Sequence, residues 1–421
     1  MMKKKLLIYA HYYIPDVAST GQILKELAEG LLDEFDVTVI CVVPSYTGKI
    51  EDKYKNKKYY KEKINGVNVL RVRVPEFTKA NKMSRIKNIL GYFFGAVFAT
   101  FKVGRQDYVF SISQPPILGG LLGVWGKLVK RAKFIYNIQD FNPEQTMAVN
   151  YSKNKLILKL MMWFDKFSCK RSNLVITVGR DLVETMNKRF KGKKVPRTVM
   201  INNWTNEKEI YPLEKGNQKV SSFKENYNLS DKFVIMYSGN IGLYYDLENI
   251  MKVIKKFKPG TCTPDGREVV FAFVGEGTIL DKLKEYVNKN KMTNVSFIPY
   301  QDKADLNFSL NAGDVHWVVN AKGIKGVSCP SKYYGVASAG KPVLGVLEKG
   351  SEIRMIIEET NGGLVCDPED YKSLENNIRW FIDNADSDEL VDMGKRSRSN
   401  LVKNLTKDVS IEKYIKEIKK I

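Results

Sequence analysis

Short runs of β-branched and aromatic residues alternate with longer segments of helical periodicity through the first half of the chain. The run "KLLIYAHY" predicts a strand, "ILKELAEGLLDEF" has apolar residues at helical spacing, and "DVTVICVV" predicts a second strand. A β-loop-α-β order of this kind predicts a parallel sheet. Further strands are predicted at 67–74, 107–113, 133–140, 174–179 and 197–203, and helices near 84–104, 116–130, 153–171 and 180–190.

The same alternation restarts after residue 231. The polar stretch 204–231 between the two series predicts a linker with one entry helix. We therefore expect an α/β protein with two Rossmann-like, doubly wound domains, at 1–203 and 204–405, and a helix at 406–421 that could pack back on the first domain. Ligands of such sheets bind outside the carboxyl ends of the strands, so a cleft between the domains is the expected site. The second series of strands is predicted at 232–239, 269–277, 295–300, 314–320, 342–347 and 362–367.

Positive charge is concentrated in the first half. Of the net charge of +21, residues 1–200 contribute 36 Lys and Arg against 16 Asp and Glu, whereas residues 201–421 contribute 32 against 31. This asymmetry predicts an anionic partner for the first half, either an acidic membrane surface or a nucleic acid, although a merely solvated basic surface is the alternative.

Two segments of the first half favour a membrane surface. The apolar segment 85–105 and the lysine-rich segment 53–63 together suit an anionic bilayer, with a buried core helix as the alternative for 85–105. The longest apolar run, 89–101, is about 7 residues too short to span a bilayer. No secretory signal is evident, because polar residues follow "LLIYA" too soon. We expect a cytoplasmic protein, peripheral on the inner face of the plasma membrane.

Several kinds of site are disfavoured. The five cysteines are scattered without a C-x-x-C pair, and the histidines are only His11 and His316, so neither a disulfide framework nor a histidine-rich metal centre is predicted. The sequence has no G-x-x-x-x-G-K-[ST] loop, G-x-S-x-G elbow or H-E-x-x-H motif. The D-x-D match at 386–388 follows a predicted helix within an acidic segment, which is atypical of a catalytic metal site. We expect no metal and no cofactor.

Three loops after predicted strands carry small residues that allow a ligand to approach the backbone. "PDVASTGQ" places Ser19, Thr20 and Gly21 at a helix start, which favours negative charge, although N-capping by Ser19 or Thr20 explains the pattern equally well. "YSGNIG" at 237–242 and "VGEGT" at 274–278 are glycine turns. Neither is a dinucleotide fingerprint, since "GEGTIL" lacks the third glycine, and a tight turn alone would explain the first.

The stretch "KGIKGVSCPSK" brings three lysines close in sequence. If Pro330 and Ser331 open a helix that closes at Gly340, Lys332 lies in its first turn, where the helix dipole is already positive. An anion would make that position favourable, and lysines suit a phosphate better than a carboxylate. Lys322 and Lys325 are candidates for the same role, with a solvated surface as the alternative.

The segments "YYIPDVASTGQILKELAEGL", "IQDFNPE", "MYSGNIGLYYDLENI" and "CPSKYYGVASAGKPVL" resemble family 4 of the retaining GT-B glycosyltransferases. More narrowly, they are similar to the L-fucosamine transferases of bacterial O-antigen and capsule assembly. The resemblance covers nearly the whole chain. It implies transfer of a sugar, such as N-acetyl-L-fucosamine, from a UDP-sugar to a polyprenyl-diphosphate-linked saccharide, with no metal and no nucleic-acid partner.

The resemblance also implies roles for individual residues. The N-terminal domain would bind the acceptor, and the C-terminal domain would bind the nucleotide-sugar. Asp140 and Lys332 are the implied catalytic residues, with Asp140 as a base or an electrostatic partner of the oxocarbenium-like centre. The acceptor-side residues would be Ser19, Thr20, Gln22 and Gln139. The donor-binding residues would be Gly21, Gly239, Asn240, Gly242, Glu276, Pro299, Tyr300, Lys322, Lys325, Ser331 and Glu352.

The sequence departs from the family pattern in two places. Leu243, Tyr244 and Tyr245 follow the glycine turn where relatives carry Arg and Lys, and the E-x7-E pair is replaced by Val327 and Gly335. Lys332 is therefore the principal candidate for binding the diphosphate. Two other function classes remain open: a non-transferring enzyme of the same fold, such as a UDP-sugar epimerase, which needs no basic membrane-facing domain, and a nucleic-acid-binding protein, which predicts Arg interleaved with aromatics.

Overall fold

A computed structural model describes residues 3–16, 19–78, 81–148 and 154–421. The chain divides into two compact units, one formed by Met1–Asn202 with Asp408–Ile421 and the other by Asn203–Lys407. Each contains one sheet covered by helices, so the prediction of two Rossmann-like α/β domains is confirmed.

The first unit contains an eight-stranded sheet. It is parallel except for β3, which pairs antiparallel with β4 at one edge. The strands lie in the order β3-β4-β2-β1-β5-β6-β7-β8. They are β1 (Lys4–Tyr9), β2 (Phe35–Val42), β3 (Tyr59–Ile64), β4 (Val67–Val72), β5 (Tyr108–Ile112), β6 (Lys133–Ile138), β7 (Leu174–Thr177) and β8 (Thr198–Met200). The helices are α1 (Ser19–Gly30), α2 (Lys82–Lys102), α3 (Leu118–Lys130), α4 (Glu144–Ala148), α5 (Lys155–Arg171) and α6 (Arg180–Arg189).

The strand β3 was not predicted, because its sequence "YYKEKI" reads as a charged surface segment. Lysine on an exposed edge strand is a common way to prevent pairing with another sheet. The segment 53–63 therefore has a place in the fold as well as a surface charge.

The second unit contains a six-stranded sheet in the order β11-β10-β9-β12-β13-β14, in which all pairs are parallel. Its strands are β9 (Lys232–Ser238), β10 (Glu268–Val274), β11 (Val295–Ile298), β12 (Val315–Val319), β13 (Val343–Val346) and β14 (Gly363–Cys366). Its helices are α7 (Gln218–Asn226), α8 (Leu247–Ile254), α9 (Leu280–Lys289), α10 (Leu306–Ala312), α11 (Lys332–Ser338), α12 (Glu352–Thr360), α13 (Tyr371–Asp383) and α14 (Asp388–Asn404).

The strand β9 lies in the middle of this sheet and is buried on both faces. Phe233, Ile235 and Tyr237 pack in one core cluster, and Val234 and Met236 pack in another. Because successive side chains of a strand point to opposite faces, a nearly continuous apolar run is what a fully covered parallel strand requires. The glycine turn that follows β9 is thereby anchored to a rigid element.

The last helix, α15 (Lys407–Lys419), belongs almost entirely to the first unit. The Tyr414 hydroxyl accepts a hydrogen bond from Asn137 Nδ2 at 2.9 Å, and Ser410 Oγ donates to the Asn202 carbonyl at 3.1 Å. Ile411 packs against Gly30 in α1, where a Cβ would lie 2.2 Å from Ile411 Cδ1 and would force that side chain to move. The chain thus returns to its first unit after completing the second.

Candidate functional site

The parallel strands of the second unit end together at one edge of the sheet. Strand order reverses between β9 and β12, which are neighbours in the sheet although β10 and β11 lie between them in the chain. In doubly wound sheets, ligands bind at this reversal, outside the carboxyl ends of the strands. The Ala321 N–H donates to the Tyr244 carbonyl at 2.7 Å and so joins the loop after β12 to the loop after β9.

The glycine turn after β9 packs closely against its neighbours. Gly239 has φ +139°, and a Cβ there would lie 2.6 Å from Lys332 Cε. Gly275, with φ +135°, lies against the Gly239 carbonyl, which a Cβ would approach to 2.2 Å. Side chains are excluded from both positions by backbone conformation and by space. The turn therefore leaves the stem of Lys332 lying directly over the Gly239 backbone.

The rest of this turn is held by its own strand. The Tyr237 hydroxyl donates to the Asn240 carbonyl at 2.5 Å, and the Ile241 N–H donates to the Glu276 carbonyl at 2.8 Å. The turns 239–242 and 275–277 are thus hydrogen-bonded to each other, with Gly242 beside Asn240.

Lys332 is the first residue of α11, so the predicted cation in the first turn of a helix is present. Its Nζ lies 3.6 Å from the centroid of the Tyr245 ring and 5.2 Å from that of Tyr237. Burial lowers the pKa of the Lys332 ammonium to about 7. Ser331 precedes it with a helical backbone and makes no side-chain capping bond.

Among the described residues, no carboxylate forms an ion pair with Lys332. The faces of the two tyrosine rings attract the Lys332 ammonium but do not neutralise it, and desolvation disfavours its charged form. A half-buried cation without a counter-ion is costly to the folded protein, and an arriving anion would reduce that cost. The arrangement can therefore bind a diphosphate with a fixed positive charge beside a turn that admits close approach.

Four other predicted donor residues lie at the same edge of the sheet. Glu276 follows β10 and is exposed, Pro299 and Tyr300 follow β11 and are exposed, and Glu352 is buried in the first turn of α12, after β13. A carboxylate in the first turn of a helix is favoured by the helix dipole. The structure brings these residues to one edge, although they are far apart in sequence.

Lys322 and Lys325 make other contacts. Lys322 Nζ forms an exposed ion pair with Glu369 at 2.6 Å, and Lys325 Nζ donates to the Lys349 carbonyl at 2.7 Å. Both lysines would have to leave these partners to bind a phosphate beside Lys332. Their predicted role stays a prediction.

The two tyrosines around Lys332 were missed by sequence reasoning. Tyr245 was noted only as a departure from the family pattern, and Tyr237 only as part of a strand. Aromatic residues on both sides of the glycine turn were the available signal. The other departure is not forced by packing, because a Cβ at Gly335 would meet nothing closer than Leu310 Cδ1 at 3.4 Å.

In the first unit, strand order reverses between β1 and β5. Thr20 Oγ1 donates to Gln114 Oε1 at 2.9 Å, which joins the start of α1 to the loop after β5. Gly21 lies close to the Tyr12 carbonyl, and Gln22 Nε2 donates to Glu26 Oε1 at 2.5 Å. Ser19 begins α1, but its side chain lies outside the described residues.

The loop after β6 carries Gln139 and Asp140. Their backbone N–H groups lie 3.1 Å and 3.4 Å from Ser113 Oγ, which accepts from both. Gln139 Nε2 donates to Asn137 Oδ1 at 2.7 Å, so this side chain is turned toward its own strand. These contacts hold Asp140 next to the loop that follows β5.

A buried arginine holds the far end of the same loop. Arg189 of α6 donates through Nε to Glu144 Oε1 at 2.6 Å and through Nη2 to the Asn142 carbonyl at 2.9 Å, and it also pairs with Asp165 of α5. The guanidinium lies 4.2 Å over the Phe141 ring. Each charge has an opposite partner and each donor an acceptor, which is what makes a buried ion network tolerable.

Two helices of the first unit expose apolar stripes. On α2, six apolar residues at three- and four-residue spacing are between 41 and 61 percent exposed: Met83, Ile86, Leu90, Phe94, Phe98 and Phe101. The opposite face of α2 packs small residues such as Gly95, Ala96 and Ala99 against the protein. On α5 the exposed stripe comprises Leu156, Ile157, Leu160, Trp163 and Phe164. Contiguous exposed apolar surface is unusual and marks an interaction site.

Within the described part of the chain, no helix is both long and apolar enough to span a membrane, and no group of three or more His, Cys, Asp or Glu side chains could hold a metal ion. His316 is buried in β12, where burial lowers its pKa to about 3, and Nε2 bonds to the Leu310 carbonyl at 2.8 Å.

Comparison with known proteins identifies related sequences. Residues 219–400 match the family model described as glycosyl transferases group 1. The chain is 29% identical over 352 residues to the probable glycosyltransferase WbjE of Pseudomonas aeruginosa, covering 80% of this chain and 82% of that protein. It is 24% identical over 390 residues to the putative colanic acid biosynthesis glycosyl transferase WcaI of Escherichia coli K12, covering 90% and 92%.

Solved structures share the fold. Sucrose-phosphate synthase from Thermosynechococcus elongatus superposes with a TM-score of 0.76 at 14% identity, covering 99% of both chains. HepE of Anabaena, in complex with UDP-glucose, superposes with a TM-score of 0.68 at 12% identity, covering 99% of this chain and 100% of that one. At such identities the likeness concerns the fold alone. The chain has the GT-B fold, and residues 219–400, which include the edge built around Lys332, match the glycosyl transferases group 1 model.

Proposed function

We propose that this protein is a retaining glycosyltransferase that takes its sugar from a UDP-sugar. The observation that carries the proposal is the Lys332 ammonium, which lies at the strand-order reversal against the Gly239 turn with two aromatic faces and no carboxylate partner among the described residues. The domain family of residues 219–400 supports transfer, and the UDP-glucose complex of HepE supports a UDP-linked donor.

The chemistry follows from the leaving group. Cleavage of the bond between a sugar and UDP develops negative charge on the diphosphate, and a fixed cation in a desolvated site stabilises that charge more than water does. Lys332 would supply this charge, and the backbone of the 239–242 turn would approach the phosphates. No metal or cofactor is required in this proposal. Asp140 would act as a base or stabilise the oxocarbenium-like centre.

We extend the proposal to the sugar and the acceptor. The sugar would be an N-acetylated amino sugar such as N-acetyl-L-fucosamine, on the strength of the sequence resemblance. The acceptor would be a polyprenyl-diphosphate-linked saccharide in bacterial surface polysaccharide assembly. The name of the colanic acid relative supports the pathway class. The apolar stripes of α2 and α5 and the excess positive charge support a location on the anionic inner face of the plasma membrane.

Lys332→Ala tests the proposal. We expect it to lower turnover of UDP-sugar by at least about 100-fold, because the charge on the leaving group would lose its fixed counter-ion. The measurement is UDP release in the presence of a polyprenyl-diphosphate saccharide, with a panel of UDP-sugars screened beforehand by thermal stabilisation.

Lys341→Met is the matched control. Lys341 is also desolvated, and its pKa is also lowered by burial, but it precedes β13 at the opposite edge of the sheet and donates to the Asn311 carbonyl at 3.0 Å. We expect this variant to keep turnover. Near-normal turnover by Lys332→Ala would overturn the proposal. Sugar epimerisation without an acceptor would indicate a non-transferring enzyme of the same fold. Tight nucleic-acid binding without UDP binding would indicate a nucleic-acid-binding protein.

A further inference from the structure

The edge strand β3 borders a pocket of about 450 Å³ whose lining includes Lys57, Tyr59, Lys61 and Lys102. Lys61 pairs across the strands with buried Leu70, and Lys102 is the last residue of α2. The Tyr59 hydroxyl donates to the Gly95 carbonyl at 3.2 Å and thereby ties the edge strand to α2. The pocket is therefore built from a strand and a helix that are fixed to each other.

Three ammonium groups of this pocket have no ion-pair partner among the described residues. Lys57, Lys61 and Lys102 are exposed, and Lys102 Nζ lies 5.0 Å over the Tyr59 ring. The only carboxylate in the lining, Glu62, is already bound by Arg71 Nε at 2.6 Å and by the Tyr54 hydroxyl at 2.7 Å. The pocket thus carries positive charge that no neighbour compensates, and its complement is an anion.

An apolar surface adjoins this charge. Phe94, Phe98 and Phe101 precede Lys102 on the exposed stripe of α2, and each is more than half exposed. An occupant that satisfies both features is anionic at one end and apolar at the other. A nucleic acid would satisfy the lysines but would leave the phenylalanine stripe in water, so the combination favours a lipid.

We propose that this pocket binds the phosphate headgroup of an anionic phospholipid while the α2 stripe inserts between the acyl chains of the same bilayer. This site would bind the membrane partner of the proposed function, and the inference rests on the membrane location given there. Interfacial helices of this kind gain affinity from buried apolar area together with electrostatic attraction to anionic lipids. The pocket adds a defined place for one headgroup to that general attraction.

The test compares two triple variants of the full chain by co-sedimentation with vesicles of phosphatidylglycerol or phosphatidylcholine. One variant removes the pocket charges with Lys57→Gln, Lys61→Gln and Lys102→Gln. The control removes three exposed lysines of the same unit that do not line the pocket, with Lys63→Gln, Lys193→Gln and Lys194→Gln. We expect wild type to bind phosphatidylglycerol only, the pocket variant to lose about 100-fold in affinity, and the control to lose less than about threefold.

Three outcomes would overturn the proposal that this pocket binds a lipid headgroup. Equal losses by the two triple variants would show general charge attraction, equal affinity for soluble glycerol phosphate would show a free-phosphate site, and tighter binding of a single-stranded oligonucleotide than of vesicles would show a nucleic-acid surface. Thermal unfolding of each variant checks that it is folded. UDP-sugar turnover is measured separately. Absent turnover in wild type would contradict the proposed glycosyl transfer but would leave the vesicle-binding result unchanged.

Discussion

The two units bury positive charge in different ways. In the first unit, Arg189 is enclosed by Asp165 and Glu144, and Arg71 is paired with Glu62. In the second, the half-buried ammonium group of Lys332 makes no ion pair with a carboxylate of the described residues. A paired guanidinium fixes its surroundings through several directed hydrogen bonds, whereas an ammonium without a counter-ion retains its capacity to bind an anion. The guanidinium groups of the first unit therefore shape loops, whereas Lys332 has the free capacity for an anion on which the proposed function depends.

The two units also differ in net charge and in exposed apolar surface. Residues 1–202 with 408–421 carry 40 Lys and Arg against 19 Asp and Glu, whereas residues 203–407 carry 28 of each. The apolar stripes of α2 and α5 also belong to the first unit, while Leu243 and Tyr300, two exposed apolar residues of the second, lie at its strand ends. Positive charge and exposed apolar stripes thus coincide in the first unit, whereas the second unit has no net charge.

The largest effect is expected from removing the guanidinium of Arg189 and concerns stability. Arg189→Met should lower the free energy of unfolding by about 3–5 kcal/mol, because it leaves the buried carboxylate of Asp165 and the partly exposed carboxylate of Glu144 without a counter-ion. Denaturant unfolding measures the change. Arg197→Ala is the control, since its ion pair with Glu417 is partly exposed and should contribute less than about 1 kcal/mol. Equal losses in the two variants would show that burial does not distinguish these arginines.

An intermediate effect is expected from displacing the lysine. Gly239→Ala should lower UDP-sugar turnover by about 100-fold, because its Cβ would push against Lys332 Cε and misplacement by an ångström is costly to catalysis. Steady-state UDP release is the measurement.

The control for this substitution is Gly260→Ala. Gly260 also has positive φ, at +83°, but its Cβ would meet nothing within 4 Å. Both variants should lose about 1–2 kcal/mol of stability from backbone strain. Only Gly239→Ala should lose turnover, and a similar loss in both would attribute the effect to strain alone.

The smallest effect concerns pH. Because the pKa of Lys332 is lowered to about 7, the free protein loses the charge above that pH and UDP binding must restore it. UDP affinity should fall by about fivefold between pH 7 and pH 8. Isothermal titration in two buffers of different ionisation enthalpy would detect the accompanying proton uptake.

The stability of the free protein should move in the opposite direction. Between the lowered pKa and the ordinary value of 10.5, the unfolded chain binds the proton that the folded chain has released, so stability rises with pH over this interval. Lys332→Met should be more stable than wild type below pH 7, with the difference shrinking as pH rises. Lys332→Arg stays charged, so its UDP affinity should not change between pH 7 and pH 8. An unchanged UDP affinity in wild type over the same interval would contradict the lowered pKa of Lys332.

Much of the fold was predictable because its signals are local. Alternation of apolar residues identified most strands, and the helices near 84–104, 153–171 and 180–190 were found within two residues of their observed ends. The edge strand β3 was missed, since lysines at its exposed positions conceal the pattern of a strand. Glycines after β9 and β10 and the lysine at the start of α11 were identified as candidates because their types alone suggest phosphate binding.

The sequence by itself determined the two α/β series, the basic first half and the place of Lys332 in the first turn of a helix. Only the tertiary structure decided which distant residues meet: Lys332 over Gly239, Tyr245 against its ammonium, and Arg189 between two carboxylates. It also decided which face of α2 is exposed. The reason is that periodicity records how each segment folds locally, whereas strand order and helix packing, which no single segment encodes, determine neighbours and exposure.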